Sequence, residues 1–174
     1  MKINRILYIL LAAILFTNCV KDDDDEAVEY VKIGDAIPVF SVSGNYKDYD
    51  STEAKGKVTL ITLFNPECKD CKRELTSLQY LWENLKSDAD FEMVNVARGI
   101  TLDALSKAEN GSAWLSMPCY PDPDKFIYNL FATRTIPRIY LADKNGIVRQ
   151  MWVENTHMTQ VQLLETIKSY IEMP

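Results

Sequence analysis

Residues Val58–Phe64 read Val-Thr-Leu-Ile-Thr-Leu-Phe, an unbroken apolar and β-branched run that predicts a strand buried on both faces. From Glu67 onward the period changes. Leu75, Leu78, Leu81, Trp82 and Leu85 recur at helical spacing, which predicts a helix over 68–86 with one apolar stripe. A second strand is predicted over 91–97, followed by a helix capped by Thr101. Asp122-Pro123 reads as the opening of a further helix, with Phe126, Ile127, Leu130 and Phe131 on its buried face. Residues 139–142 and 147–153 then flank Asp143-Lys144-Asn145-Gly146, and Asn-Gly between two β-rich runs is a hairpin signal because both residues tolerate positive φ. Thr159-Gln160-Val161-Gln162 reads as the capping box of a closing helix whose apolar face is Val161, Leu164, Ile167 and Ile171. The order β-α-β-α-α-β-β-α implies an α/β domain built on a mixed central sheet with helices on both faces.

Ahead of this domain the pattern is different. Lys2 and Arg5 precede an apolar run over 6–16, too short for a bilayer span of about 20 residues but suited to the core of an export signal. Residues 1–18 are therefore expected to be a signal peptide. Residues 20–29 hold six acids and one base, like charges that repel one another and extend a chain. Residues 19–29 are thus expected to be a tether, and 30–174 a single folded domain.

Composition narrows the function. A chain of 174 residues with 47% apolar and 25% charged residues can bury a core and is neither disordered nor fibrous. Its net charge of −6, without a basic block, removes the electrostatic footprint of a nucleic-acid binder. Four cysteines and one histidine are too few for a disulfide scaffold but enough for one redox site.

That site is Cys68-Lys69-Asp70-Cys71, which follows the buried strand and opens the first long helix. A cysteine at a helix N-terminus meets the positive end of the dipole and unpaired N–H groups, both of which favour thiolate over thiol. Cys68 is accordingly the candidate nucleophile. Cys71, three residues on, can attack a mixed disulfide formed at Cys68. Lys69 favours the thiolate, while Glu67 and Asp70 oppose it. Competing readings are weaker. A zinc site needs four ligands, and beyond this motif the domain offers only Cys119 and His157, so no metal is expected. A structural bridge closing so short a loop gains little entropy. A peroxidase needs a Pro and a Thr at fixed distances upstream of its cysteine, whereas here Pro66 stands two residues before Cys68 without such a Thr. A different class of function, a redox-idle binding module at the cell surface, is separated from the enzyme by testing disulfide reduction. Cys119 is expected to be an inert core thiol and His157 a solvated loop residue, while Trp82, Trp114 and Trp152 are expected in the core or in groove walls. Arg98, at the end of the second strand, is either an anion holder at the active-site edge or simply exposed.

Strand, C-x-x-C, helix, then Thr135-Ile136-Pro137-Arg138 leading into the hairpin resembles the thioredoxin-like fold, in the branch of exported TlpA-like and ResA-like thiol-disulfide oxidoreductases. The resemblance runs from about Lys32 to the C-terminus and includes residues 31–40 and Glu74-Leu75. It implies no cofactor, protein disulfides as substrates and an upstream electron-donor protein. It also implies that Pro137 is a cis-proline facing the dithiol and that the Ile136 backbone pairs with a substrate strand. Thioredoxin places Trp before its first cysteine and a buried Asp six residues before it. This chain has Glu67 and Thr62 there, which leaves Glu67, Glu74 or water to transfer the proton of the resolving thiol. Phe16-Thr17-Asn18-Cys19 resembles a lipoprotein signal in which Cys19 is lipidated, and the Lys-then-acid run behind it resembles that of lipoproteins from Bacteroidota. Both imply an outer-membrane lipoprotein of the cell envelope, facing the periplasm or the cell surface.

Overall fold

The computed structural model describes residues 27–173; residues 1–18, Cys19 and most of the acidic stretch lie outside them. Its elements are β1 (Ser41–Val42), β2 (Tyr49–Asp50), β3 (Val58–Phe64), α1 (Lys69–Leu85), β4 (Phe91–Arg98), α2 (Leu102–Lys107), α3 (Gly111–Leu115), β5 (Cys119–Asp122), α4 (Tyr128–Phe131), β6 (Arg138–Ala142), β7 (Val148–Val153) and α5 (Gln160–Ile171). Five strands form one mixed sheet in the order β5-β4-β3-β6-β7. β3, β4 and β5 run parallel, and the β6–β7 hairpin joins antiparallel to β3. Among the described residues no helix is long and apolar enough to cross a membrane.

The unbroken apolar run of β3 is explained by its central place, where all seven residues are buried. Side chains alternate across a strand. Val58, Leu60 and Phe64 join a cluster with Leu75, Leu78 and Leu81 of α1 and with Leu163, Leu164 and Ile167 of α5. Ile61 and Leu63 face the opposite cluster, built from Val31, Phe40, Tyr49, Tyr128 and Phe131. Among the described residues, that second face carries only the short α4 as helical cover. The remainder is the segment before β3, which is joined to the end of α4 and the residues after it from Val28 onward: Val28 N–H donates to Thr133 Oγ1 and Tyr30 N–H to Phe131 O, both at 2.9 Å.

Two local expectations are corrected. Residues after Pro118 do not open a helix at Asp122-Pro123; Cys119–Asp122 form the edge strand β5, paired with β4 from Asn95 to Arg98. Pro121 disguised this strand, and an edge position is where a strand tolerates the missing N–H. The helix shrinks to four residues, its approach held by the buried Asp122 carboxylate, which accepts from Ile127 N–H (3.1 Å) and Tyr128 N–H (2.8 Å). Ile127 and Phe131 are buried as expected, but Phe126 is 68% exposed. In α5 the capping box forms, while Val161 is exposed and Leu163 takes its place in the core. At 100° per residue Val161 stands roughly 110° from the direction shared by Leu163, Leu164 and Ile167.

Candidate active site

β3 delivers the chain to a tight turn at Asn65-Pro66-Glu67 beneath the first turn of α1. Asn65 builds that turn with its own side chain and backbone. Its Oδ1 accepts from Glu67 N–H at 2.9 Å, and its carbonyl accepts from Cys68 N–H at 3.1 Å, the local bonding that suits Asn to turns. Cys68 is the N-cap of α1, with φ −74° and ψ 122°. Its sulfur occupies the place usually taken by a Ser, Thr or Asp oxygen, accepting the N–H of Cys71 at 3.5 Å.

The two thiols are free and differ in surroundings. Cys68 is half-buried and Cys71 fully buried. Burial pushes the Cys71 thiol far above the usual cysteine range, against the lowering effect of the Asn65 backbone N–H, and the nearby Cys68 and Asp70 add to the rise. Of the charges expected to compete around the motif, only Asp70 is held in an ion pair among the described residues. Asp70 pairs with Arg73 at 2.8 Å and Lys72 with Glu109, whereas Lys69 has no ion-pair partner among the described residues.

Across from α1, the Ile136–Pro137 bond is cis. The Ile136 carbonyl lies 3.6 Å from Cys68 Sγ, which donates to it, so the structure brings Cys68, Cys71, Ile136 and Pro137 together. The loop is held from behind: Tyr128 Oη donates to Thr135 O at 3.0 Å, and Arg138 Nε donates to the carbonyls of Arg134 and Thr135, each at 3.0 Å. Arg138 is buried, and Glu29 neutralises it at 2.6 Å.

The two proton-transfer candidates are separated by burial. Glu67 is exposed at the turn. Glu74, one helical turn past Cys71, is 5% exposed and accepts from Thr156 Oγ1 at 3.2 Å. Thr62 is buried in β3, its hydroxyl without a hydrogen-bond partner among the described residues. Cys119, His157 and Trp114 make no hydrogen bond to the dithiol or to Ile136 among the described residues: Cys119 is a buried thiol donating to Trp114 O at 3.1 Å, His157 is exposed, and Trp114 stacks on Phe64 at 3.7 Å.

Sequence reasoning missed Asn65, Tyr128, Arg138 and Thr156 as supports of the site. Arg138 alone left a signal, as a charged residue at the start of an otherwise apolar strand, where burial demands a partner. Glu29, that partner, sat in a run read as tether.

Comparison with known proteins places the arrangement. Residues 33–151 match the AhpC/TSA family. The thiol-disulfide oxidoreductase ResA of Geobacillus thermodenitrificans is 26% identical over 169 residues, covering 96% of this chain and 91% of that protein. A solution structure described as a candidate protein disulfide isomerase from Bacteroides thetaiotaomicron superposes with a TM-score of 0.75 at 21% identity, covering 82% of this chain and 92% of that one. A secreted disulfide oxidoreductase of Mycobacterium tuberculosis superposes with a TM-score of 0.61 at 17% identity, covering 75% and 95%.

Proposed function

The chain belongs to the AhpC/TSA family as a TlpA/ResA-like member of thioredoxin-like fold, and from that premise we propose that it is an exported thiol-disulfide oxidoreductase working as a protein-disulfide reductase. The observation that carries this reading is a half-buried N-cap cysteine, Cys68, 3.6 Å from the Ile136 carbonyl and paired with a buried cysteine three residues on.

The chemistry follows from that geometry. The Cys68 thiolate attacks one sulfur of a substrate disulfide, the substrate S–S bond breaks, and the departing sulfur takes up a proton. The backbone of Ile136 pairs with the substrate strand beside Pro137 and holds the disulfide in line with Cys68. Cys71, kept neutral by burial until its proton is removed, then attacks Cys68 Sγ. Cys68–Cys71 becomes the disulfide and the second substrate thiol leaves, so two electrons and two protons have passed to the substrate. Glu74, buried on the same helix face and hydrogen-bonded by Thr156, receives the Cys71 proton; the exposed Glu67 is the lesser candidate.

Return to the dithiol requires two electrons from an upstream donor protein. Residues 1–18 export the chain, Cys19 carries the lipid, and the acidic stretch spaces the domain from an outer membrane of the cell envelope. Insulin-disulfide reduction by the purified protein, lost in Cys68→Ser, tests the activity. [³H]palmitate labelling lost in Cys19→Ala, with release of the protein into the soluble fraction, tests the anchor. Absence of reduction by the wild type returns the domain to the binding-module class.

A further inference from the structure

Arg98 ends β4, beside the end of β3 through the Phe64–Ala97 pairing. A closed ring of contacts ties it to the dithiol. Cys68 N–H donates to Asn65 O (3.1 Å), and Asn65 Nδ2 donates to Arg98 O (3.0 Å). The Arg98 guanidinium lies over the Tyr128 ring, 4.3 Å from its centroid. Tyr128 Oη in turn donates to Thr135 O (3.0 Å), and the next carbonyl, that of Ile136, meets the Cys68 thiol.

Two arginines therefore flank Tyr128, and they are treated oppositely. Arg138 is neutralised by Glu29 and saturated by the carbonyls of Arg134 and Thr135. Arg98 makes no ion pair and no side-chain hydrogen bond among the described residues. Its Nε is shut away from solvent without a partner, which is unfavourable for a charged donor, and only its terminal nitrogens are open to a ligand. A second cation stands beside it: the Lys125 side chain passes over Gly99, where an added Cβ would lie 3.5 Å from Lys125 Cε, and Lys125 too lacks an ion pair among the described residues. No acid nearby forms an ion pair with either cation among the described residues: Asp122, the cross-strand neighbour of Arg98, turns its carboxylate to the Ile127 and Tyr128 N–H groups, and Asp124 and Glu67 are solvent-exposed.

We propose that Arg98, assisted by Lys125, is a carboxylate-binding subsite that selects protein disulfides carrying an Asp or Glu next to the reactive cysteine. The proposal rests on the oxidoreductase reading and names its substrate class. A guanidinium presents a planar fork that matches a carboxylate, and stacking on Tyr128 fixes the plane of that fork before the substrate arrives. The same ring that orients Arg98 anchors the loop on which the substrate strand lies, so an acid bound by Arg98 sets the register of the disulfide against Cys68.

The test uses the reduced full-length protein and three disulfide peptides that differ only in a Glu, Gln or Lys beside the cysteine, with exchange rates followed at low ionic strength. The wild type is expected to favour the Glu peptide over the Gln peptide about five- to tenfold, the size of one partly desolvated charge-assisted pair. Arg98→Gln is expected to bring that ratio near one, Arg98→Lys to restore part of it, and Arg98→Glu to turn the preference toward the Lys peptide. Should Arg98→Gln fail to fold by circular dichroism, the wild type in rising salt and the Arg98→Lys variant carry the same comparison. Equal rates for Glu and Gln peptides in the wild type, or an unchanged ratio in Arg98→Gln, overturn the subsite while leaving the oxidoreductase standing. No exchange with any peptide overturns both.

Discussion

Cys71 and Cys119 are equally hidden, and burial pushes both thiols far above the usual cysteine range, yet they occupy opposite chemical situations. Cys119 opens the edge strand β5, its N–H bound to Asn45 Oδ1 at 2.7 Å and its thiol donating to the Trp114 carbonyl. It is a free thiol that makes no hydrogen bond to another cysteine among the described residues. Cys71 has the same dry surroundings, but the N-cap sulfur of Cys68 accepts its N–H, and a buried carboxylate lies one turn further along the helix. Burial alone makes a thiol inert. In the proposed mechanism a neighbouring sulfur and a proton acceptor turn the same burial into a resolving cysteine, one that stays quiet until a mixed disulfide forms beside it.

The largest test of this contrast is substitution of the dithiol. Cys71→Ser should accumulate mixed disulfides with substrate proteins, seen on non-reducing gels, whereas Cys68→Ser should trap far fewer and reduce insulin no faster than background. Iodoacetamide should modify Cys68 first and leave Cys71 and Cys119 slow; modification of Cys71 first reverses the assignment. Next in size is Glu74→Gln, which keeps the shape and removes the proposed proton acceptor. The step that releases substrate from the mixed disulfide should slow about 100-fold, the lower end of general-base effects, while Glu67→Gln changes it little. An unaltered release rate in Glu74→Gln leaves water as the acceptor.

A pH titration treats the two buried thiols alike and so sharpens what they share. With folded values raised above the unfolded value of 9.0, the native dithiol form retains protons that the unfolded chain gives up. The contribution is fully present below about pH 9 and is lost as pH climbs toward the folded values. Each thiol should cost at most about 1.4 kcal/mol of stability per pH unit in that window. Urea unfolding between pH 8 and 11 under reducing conditions measures the slope, and Cys119→Ala should remove its share. Tyr49 and Tyr120, also raised by burial, steepen the fall only above pH 10. The smallest effect belongs to Cys119→Ala at neutral pH. Loss of about 1 kcal/mol from a small packing defect, with insulin reduction unchanged, is the signature of a structural thiol. A lost activity there removes the contrast.

Much of this was legible beforehand because it is written in local order. β3, α1, the β6–β7 hairpin and the Thr159 cap follow from periodicity and turn chemistry that act within a few residues, and the position of Cys68 at a strand-to-helix junction carries its chemistry with it. β5 was not legible. A four-residue strand containing Pro121 has no period to read, and only the open edge of β4 makes it a strand. Phe126 and Val161 were misplaced for a related reason: an apolar residue just before a helix or in its first turn can point either way until neighbouring elements occupy one side.

What the sequence determined by itself was therefore the α/β architecture and the dithiol, since both depend on spacing along the chain. The tertiary structure decided which of Glu67 and Glu74 is buried, which arginine is neutralised and which is left open, and how closely the Ile136 carbonyl approaches Cys68. These are contacts between residues tens of positions apart, such as Glu29 with Arg138 and Glu74 with Thr156. Their energies depend on burial and distance, and neither quantity exists until the sheet has closed and brought the ends of β3, β4 and β6 to one edge.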